Sequence, residues 1–304
     1  MRHTIRYYIS ILLLSAAIGA SAADPAAATL FPYPTVPTDI TDFTDRADYF
    51  VTHFWDECRF KSEFSSRQRF EDTFEDYAQM LPHATETAAL SSIDNLIAHV
   101  AKSSPANLLT LGEIAESMFY DGKVGFVSDA LYLPFVKAVA GCKKLSGAEK
   151  ARFVSQVKVL ENTVTGAVAP DFTYTDINGK KARFAERPKL HTILFINDPE
   201  CDDCRMARVR LSADYYLGQF IDKGQLQVIS IYPGEYSAEW AAEAVDNADP
   251  KWTVGACADI DDIYDLRTSP AIYYLDREGH ILSKTADVDT LLNGFYNVYT
   301  QQNK

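Results

Sequence analysis

The chain has 304 residues, five of them cysteine, and carries 42 Asp plus Glu against 29 Lys plus Arg. That length fills two domains of ordinary size, and five cysteines are too few for a small disulfide-stapled scaffold. The acidic balance argues against nucleic acid or an anionic membrane as a partner, since both are held through basic patches.

The first 22 residues read as a secretory signal peptide. Arg2 and Arg6 precede an apolar centre at Ile9-Ser10-Ile11-Leu12-Leu13-Leu14, and Ala20-Ser21-Ala22 supplies a small-residue cleavage site. The apolar part is too short to span a bilayer as a retained anchor. Cleavage would leave a periplasmic or secreted protein with no stable membrane insertion, in a compartment where disulfides persist. An odd cysteine count leaves at least one thiol unpaired in a monomer.

Residues 23–37 hold Pro25, Pro32, Pro34 and Pro37 among Ala and Thr, which favours an extended linker acting as a tether. Residues 38–162 are helical in pattern and form an all-α domain of five or six short helices. Phe43, Ala47, Phe50, Val51, Phe54 and Cys58 recur as one apolar stripe. Ser65-Ser66-Arg67-Gln68 has capping-box spacing before Phe70, Phe74, Tyr77 and Leu81. Leu90, Ile93, Ile97 and Val100 mark a third helix, Pro105 starts a fourth, and Phe135, Val139 and Cys142 line a fifth. Ser146 and Glu149 cap the sixth. Cys58 and Cys142 fall at core positions, where inert packing is the usual role of a thiol. A bridge between them requires their Cα atoms to lie within about 7 Å.

Residues 163–304 change to an extended period. Phe172 to Thr175 and Lys181 to Phe184 flank Asp176-Ile177-Asn178-Gly179, a strong hairpin signal. Leu190 to Asn197 is an apolar run of buried-strand character, Cys201 to Ile221 reads as one helix, and Leu226 to Tyr232 is a second buried strand. A helix from Ser237, a short strand at Trp252 to Cys257 and a short helix at Ile260 to Leu266 follow. Ala271 to Leu275 and His280 to Lys284 form a second hairpin before a last helix with Leu291, Leu292, Phe295 and Val298. The expected class is α+β overall, with a helical domain in front of an α/β domain. The latter has a central mixed sheet with helices on both faces.

Cys201-Asp202-Asp203-Cys204 stands at the junction of the buried strand and the following helix. Thiols spaced i, i+3 at a helix start can face each other and the positive end of the helix dipole. They can therefore close a small disulfide and release it as a thiolate.

Four pieces in order carry a family resemblance. They are Gly166-Ala167-Val168-Ala169-Pro170-Asp171-Phe172, the Asp-Ile-Asn-Gly-Lys turn, the strand running into Cys-x-x-Cys, and Ser269-Pro270 before Ala271 to Asp276. Together they resemble a thioredoxin-fold domain, and within that fold the envelope TlpA-like thiol-disulfide oxidoreductases. The helical domain resembles a domain of unknown function that precedes such domains in bacterial envelope proteins. The resemblance makes Cys201 the attacking thiol and Cys204 the resolving one, and helix geometry agrees, since the first is at the exposed helix end. It also places Pro270 as a cis proline beside the pair, with Ser269 and Pro270 binding an extended substrate segment. Disulfide-containing envelope proteins and an envelope or membrane thiol reductant are the implied partners, and no cofactor or metal is implied.

This chain departs from the family at Glu200, where a Trp is frequent, and at Phe195, where thioredoxins place a buried carboxylate. Glu200, Asp202 and Asp203, with Asp198, surround the pair with negative charge, while Arg205 and Arg208 oppose them. A unit charge about 7 Å away at an effective dielectric near 40 is worth roughly 1 kcal/mol. The acids are thus expected to offset the helix dipole and leave a less stabilised thiolate, which favours a reducing or isomerising couple. A non-catalytic envelope binding protein with a structural or vestigial Cys-x-x-Cys is the alternative. A thiol peroxidase fits less well, because its Thr and Pro positions hold Asp198 and Leu194. Metal binding would need His191 and Cys257 beside the pair. His53, His83 and His99 have no ligand partner at helical spacing.

Overall fold

The computed structural model describes residues 29–284 and 287–302. The expected signal peptide lies outside the described residues. Seven helices come first: α1 (Phe43–His53), α2 (Phe60–Glu63), α3 (Arg67–Met80), α4 (Glu86–Ser103), α5 (Pro105–Ala115), α6 (Asp129–Gly141) and α7 (Gly147–Asn162). Their shared core is strongly aromatic, with Phe54, Phe70, Phe74, Tyr77, Phe119 and Phe135 all buried. No helix among the described residues is long and apolar enough to cross a membrane.

Three expectations for this half are corrected. The Pro-rich segment is not a free tether where it is described: Phe31 is 5% exposed. Its ring lies 5.6 Å from that of Trp55, and the Tyr33 hydroxyl donates to Asp76 at 2.6 Å. Proline removes backbone donors, but it does not prevent neighbouring aromatic rings from burying their area. Helix α1 ends at His53, with Phe54 still in the core; Phe43 at its first position is exposed, and Cys58 lies beyond the helix, half-buried against the core. Ser66 is the N-cap of α3 but its side chain makes no capping bond, whereas Ser146 and Glu149 complete the reciprocal box of α7.

The second half is a seven-stranded mixed sheet. Its strands are β1 (Thr173–Asp176), β2 (Lys181–Arg183), β3 (His191–Ile196), β4 (Leu226–Tyr232), β5 (Thr253–Ala256), β6 (Ala271–Leu275) and β7 (Ile281–Lys284), in spatial order β2-β1-β5-β4-β3-β6-β7. The central β3, β4 and β5 are parallel, and the two hairpins add antiparallel edges. β3 is buried on both faces, which explains its unbroken apolar run. Gly179 takes φ +78° in the β1–β2 turn, a backbone region that favours glycine.

The helices of this half are α8 (Asp202–Ala213), α9 (Tyr215–Asp222), α10 (Ala238–Asn247) and α11 (Val288–Gln302). The single helix expected from Cys201 to Ile221 is two: Asp214 takes ψ 122° and its carboxylate accepts from Leu217 N, capping a new start. Met206 and Val209 are exposed on α8. All four helices pack on the face formed by Ile193, Phe195, Val228 and Ile272. Helices on both faces were expected. The chain instead steps from β3 to β4 to β5 in one direction, and right-handed crossovers then put the connecting helices α8, α9 and α10 on the same side. The opposite face, with Leu194, Ile196, Ile229 and Tyr273, is closed by Phe172, Phe184, Ile260 and Tyr264. Helix α7 of the first half touches the short turn at Ile260–Asp262.

Candidate redox site

Strand pairing builds the site. Ile196, the last residue of β3, pairs with Ala271, the first of β6, so the segments just outside these two ends face each other. One is Cys201 to Cys204 and the other is Ser269-Pro270, whose peptide bond is cis. Asn197 continues β3 by donating its N–H to Ile231 O at 2.9 Å, and its side-chain amide bonds Phe195 O and Ser230 Oγ. That buried amide fixes the exit of the strand. Asp198 then turns the chain, its carboxylate accepting from Glu200 N at 2.9 Å and its carbonyl from Cys201 N at 3.2 Å.

Cys201 is the N-cap of α8, and its sulfur accepts from the Cys204 N–H at 3.2 Å. Sulfur here does what a Ser or Asp oxygen does at other caps. The Ser269 hydroxyl donates to Cys201 Sγ at 3.4 Å and lies 3.2 Å from Cys204 Sγ, so one hydroxyl touches both sulfurs. Cys201 Sγ also lies 3.7 Å from Ser269 O. Cys204 is buried at 1% exposure, while Ser269, Asp202, Asp203 and Glu200 are exposed.

The two thiols are driven apart in acidity. The Cys201 thiol is held below its ordinary value, chiefly by a hydrogen bond from Cys204, then by the Ser269 hydroxyl and by backbone N–H groups at the helix start. Burial pushes the Cys204 thiol up to about 11, and the bond it makes to Cys201 adds to that. The acid ring led to the opposite expectation for Cys201. The groups that stabilise its thiolate are in direct contact with the sulfur, whereas Asp202 is exposed and paired with Arg205 at 2.7 Å. Charge in water is screened, and contact hydrogen bonds prevail.

Other candidate residues do not join this site. His191 opens β3, at the far end of that strand from the cysteines, and its Nδ1 lies 3.0 Å from the Tyr274 hydroxyl. Cys257 follows β5, two strands away from β3, and burial raises its thiol. Among the described residues no three His, Cys, Asp or Glu side chains are grouped to hold a metal ion. Phe195 occupies the position of the missing carboxylate and is fully buried in the apolar core. Sequence reasoning missed the loop just before Ser269. There Asp265 and Arg267 are buried and bonded to Tyr120 and Asp129 of the helical half. Two charged residues in a short loop gave no signal of their own.

A parallel centre with a dithiol at a strand–helix junction, facing a cis proline across the next strand, defines the thioredoxin fold. The chain is a thioredoxin-fold domain preceded by a domain of unknown function. Residues 15–163 match the family described as domain of unknown function DUF5106. A crystal structure of a thioredoxin-like protein from Bacteroides caccae is similar in fold over both halves. Its TM-score is 0.74 at 24% identity, over 88% of this chain and 98% of that one. The C-terminal domain of an uncharacterized protein from Bacteroides fragilis is 31% identical, over 44% of this chain and 99% of that one, with a TM-score of 0.42. The thioredoxin domain of a thiol-disulfide oxidoreductase from Bacteroides vulgatus is 23% identical, over 44% of this chain and 97% of that one, with a TM-score of 0.39. A comparison with curated proteins gave no match.

Proposed function

We propose that this chain is an exported thiol-disulfide oxidoreductase that reduces or isomerises disulfides of envelope proteins through Cys201 and Cys204. The observation that carries the reading is the pairing of an accessible, acidified Cys201 sulfur with a buried Cys204 thiol, both touching the Ser269 hydroxyl beside cis Pro270. A structural disulfide needs neither the acidity difference nor the open position.

The Cys201 thiolate attacks one sulfur of a substrate disulfide. A mixed disulfide forms, and the other substrate sulfur leaves as a thiolate that takes a proton from water. The Ser269 and Pro270 backbone, open beside the mixed disulfide, binds the extended substrate segment. Cys204 then gives up its proton and attacks Cys201 Sγ, which releases the second substrate thiol and leaves Cys201 and Cys204 joined. Two electrons have passed to the substrate, and an envelope thiol reductant returns them to the pair. In isomerisation the released substrate thiolate attacks a different substrate disulfide, and the thiolate freed there attacks the substrate sulfur of the mixed disulfide, so that a rearranged disulfide forms, Cys201 leaves and the pair ends reduced.

The reducing or isomerising direction is supported by the kind of contact that stabilises Cys201. The largest of these contacts are hydrogen bonds, from Cys204, Ser269 and backbone N–H groups. Strongly oxidising pairs stabilise the thiolate much further. Equilibration against glutathione tests this, and a potential as high as about −120 mV would overturn it.

The decisive experiment is a Cys204→Ser variant expressed with its leader. It should accumulate mixed disulfides through Cys201 with exported proteins, resolved by a reductant on a gel, and a Cys201→Ser variant should not. An absence of such adducts in the oxidising compartment would sink the proposal.

A further inference from the structure

A cluster of buried charge lies where the two domains meet. Asp265 is fully buried and the Arg267 side chain is 5% exposed. Arg267 donates to Asp265 Oδ2 from Nε at 2.7 Å and to Asp129 Oδ1 from Nη2 at 2.5 Å. Lys284 of β7 reaches Asp129 and lies 3.6 Å from Asp265. The Tyr120 hydroxyl donates to Asp265 Oδ1 at 2.9 Å, and the Arg267 guanidinium lies 3.8 Å from the centre of the Tyr120 ring. Burial pushes the Asp265 carboxyl up, but the bond and charge of Arg267 prevail and hold it below its ordinary value.

The cluster stands next to the redox site in the chain. Asp265 and Arg267 belong to the loop that ends at Ser269 and Pro270, while Asp129 opens α6 and Tyr120 precedes it in the helical domain. From its own domain the loop is held by the Tyr273 hydroxyl, which donates to Asp265 O at 2.8 Å. Across the domain boundary Asp265 and Arg267 are bonded to Tyr120 and Asp129. A guanidinium fixed between two carboxylates and laid on a ring has one orientation. An apolar contact of equal area would be as stable but less directional.

We propose that the helical domain is a positioning element of the redox site. Asp129 acts through Arg267, and Tyr120 acts through Asp265, to hold the 265–270 loop where the Ser269 hydroxyl meets both sulfurs. The consequence for turnover rests on the oxidoreductase reading, but the positioning itself can be read from the thiols alone. The groups at Cys201 are Cys204 and Ser269, with Asp198, Asp202, Asp203 and Arg205 nearby in the chain. Asp129 and Tyr120 are not among them, so neither acts on Cys201 by direct contact, and loss of the Asp129 charge acting through space would lower the midpoint, the direction opposite to a loosened loop.

The test follows the pH dependence of iodoacetamide alkylation at Cys201, assigned by peptide mass mapping, in the full reduced protein. Ser269→Ala should slow alkylation below the midpoint by about threefold, the equivalent of half a pKa unit. Asp129→Asn should shift the midpoint in the same direction by less, and Tyr120→Phe, which retains the ring, by less again. The double variant Asp129→Asn with Ser269→Ala should shift no further than Ser269→Ala alone, because both act on one contact. Val139→Ala, in the helical core away from the cluster, should lower the melting temperature and leave the midpoint in place. Additive shifts in the double variant would overturn the proposal. So would an unmoved midpoint in Asp129→Asn, or an equal shift in Val139→Ala. The expected midpoint shifts in these variants together with no adducts in the Cys204→Ser trap would overturn the oxidoreductase reading and support the positioning.

Discussion

Two polar clusters of opposite character sit a few residues apart in this chain. The dithiol is open to solvent on one side and is held by hydrogen bonds to sulfur of 3.2 to 3.4 Å. The interdomain cluster is largely buried, with Arg267 and Lys284 each paired to both Asp129 and Asp265. Weak bonds would suit the proposed exchange of sulfur partners, because each can be lost and remade at little cost. A buried ion cluster tolerates no such exchange. The redox loop therefore has one soft end, at Ser269, and one hard end, at Asp265.

Breaking the hard end should have the largest effect. Asp265→Asn removes the buried carboxylate that faces both Arg267 and Lys284, and should cost about 3–5 kcal/mol in denaturant unfolding at pH 7. A loss under about 1 kcal/mol would show that water already reaches the cluster. The soft end should show itself through pH. Cys204 has a folded value near 11 against an ordinary 9.0. Protons are thus held more tightly by the folded state, so stability from this thiol is complete below about 9 and lost as pH rises to about 11. The reduced protein should lose stability relative to the disulfide form across that window, as read by paired melting curves. Equal pH dependence of the two forms would mean that Cys204 is not shielded.

Capping gives a smaller version of the contrast between formed and unformed contacts. Ser146→Ala breaks a complete box and should cost about 1 kcal/mol. Ser66→Ala removes a side chain with no capping bond and should change stability by less than about 0.5 kcal/mol. Smallest of all should be Asp202→Ala, which breaks an exposed pair with Arg205. It should alter stability by at most about 0.5 kcal/mol and leave the alkylation midpoint of Cys201 in place. A clear fall in that midpoint would restore the acid ring as a tuning device.

Much of the fold was legible because local signals agreed with the tertiary result. The apolar run of β3, the Asn178-Gly179 turn and the Ser146 to Glu149 box each record a local constraint in adjacent residues. The failures share a cause as well. Proline content suggested a tether, but the partners of Phe31 and Tyr33 lie in α1, α3 and the segment after α1. Acid content suggested a destabilised thiolate, but closeness in sequence does not fix where a carboxylate points. The break at Asp214 was hidden because the apolar residues on both sides keep a helical rhythm.

The sequence by itself determined two domains, a mixed sheet in the second, and a dithiol at a strand–helix junction. These follow from periodicity, from turn residues and from the i, i+3 spacing of Cys201 and Cys204. Only the tertiary structure decided what touches the sulfurs and what holds that contact. Ser269 reaches them because β3 and β6 pair end to start, and Asp129 reaches Arg267 because the helical domain lies against the same loop. Such contacts join residues 68 and 138 positions apart, a separation at which no local pattern constrains which side chains meet.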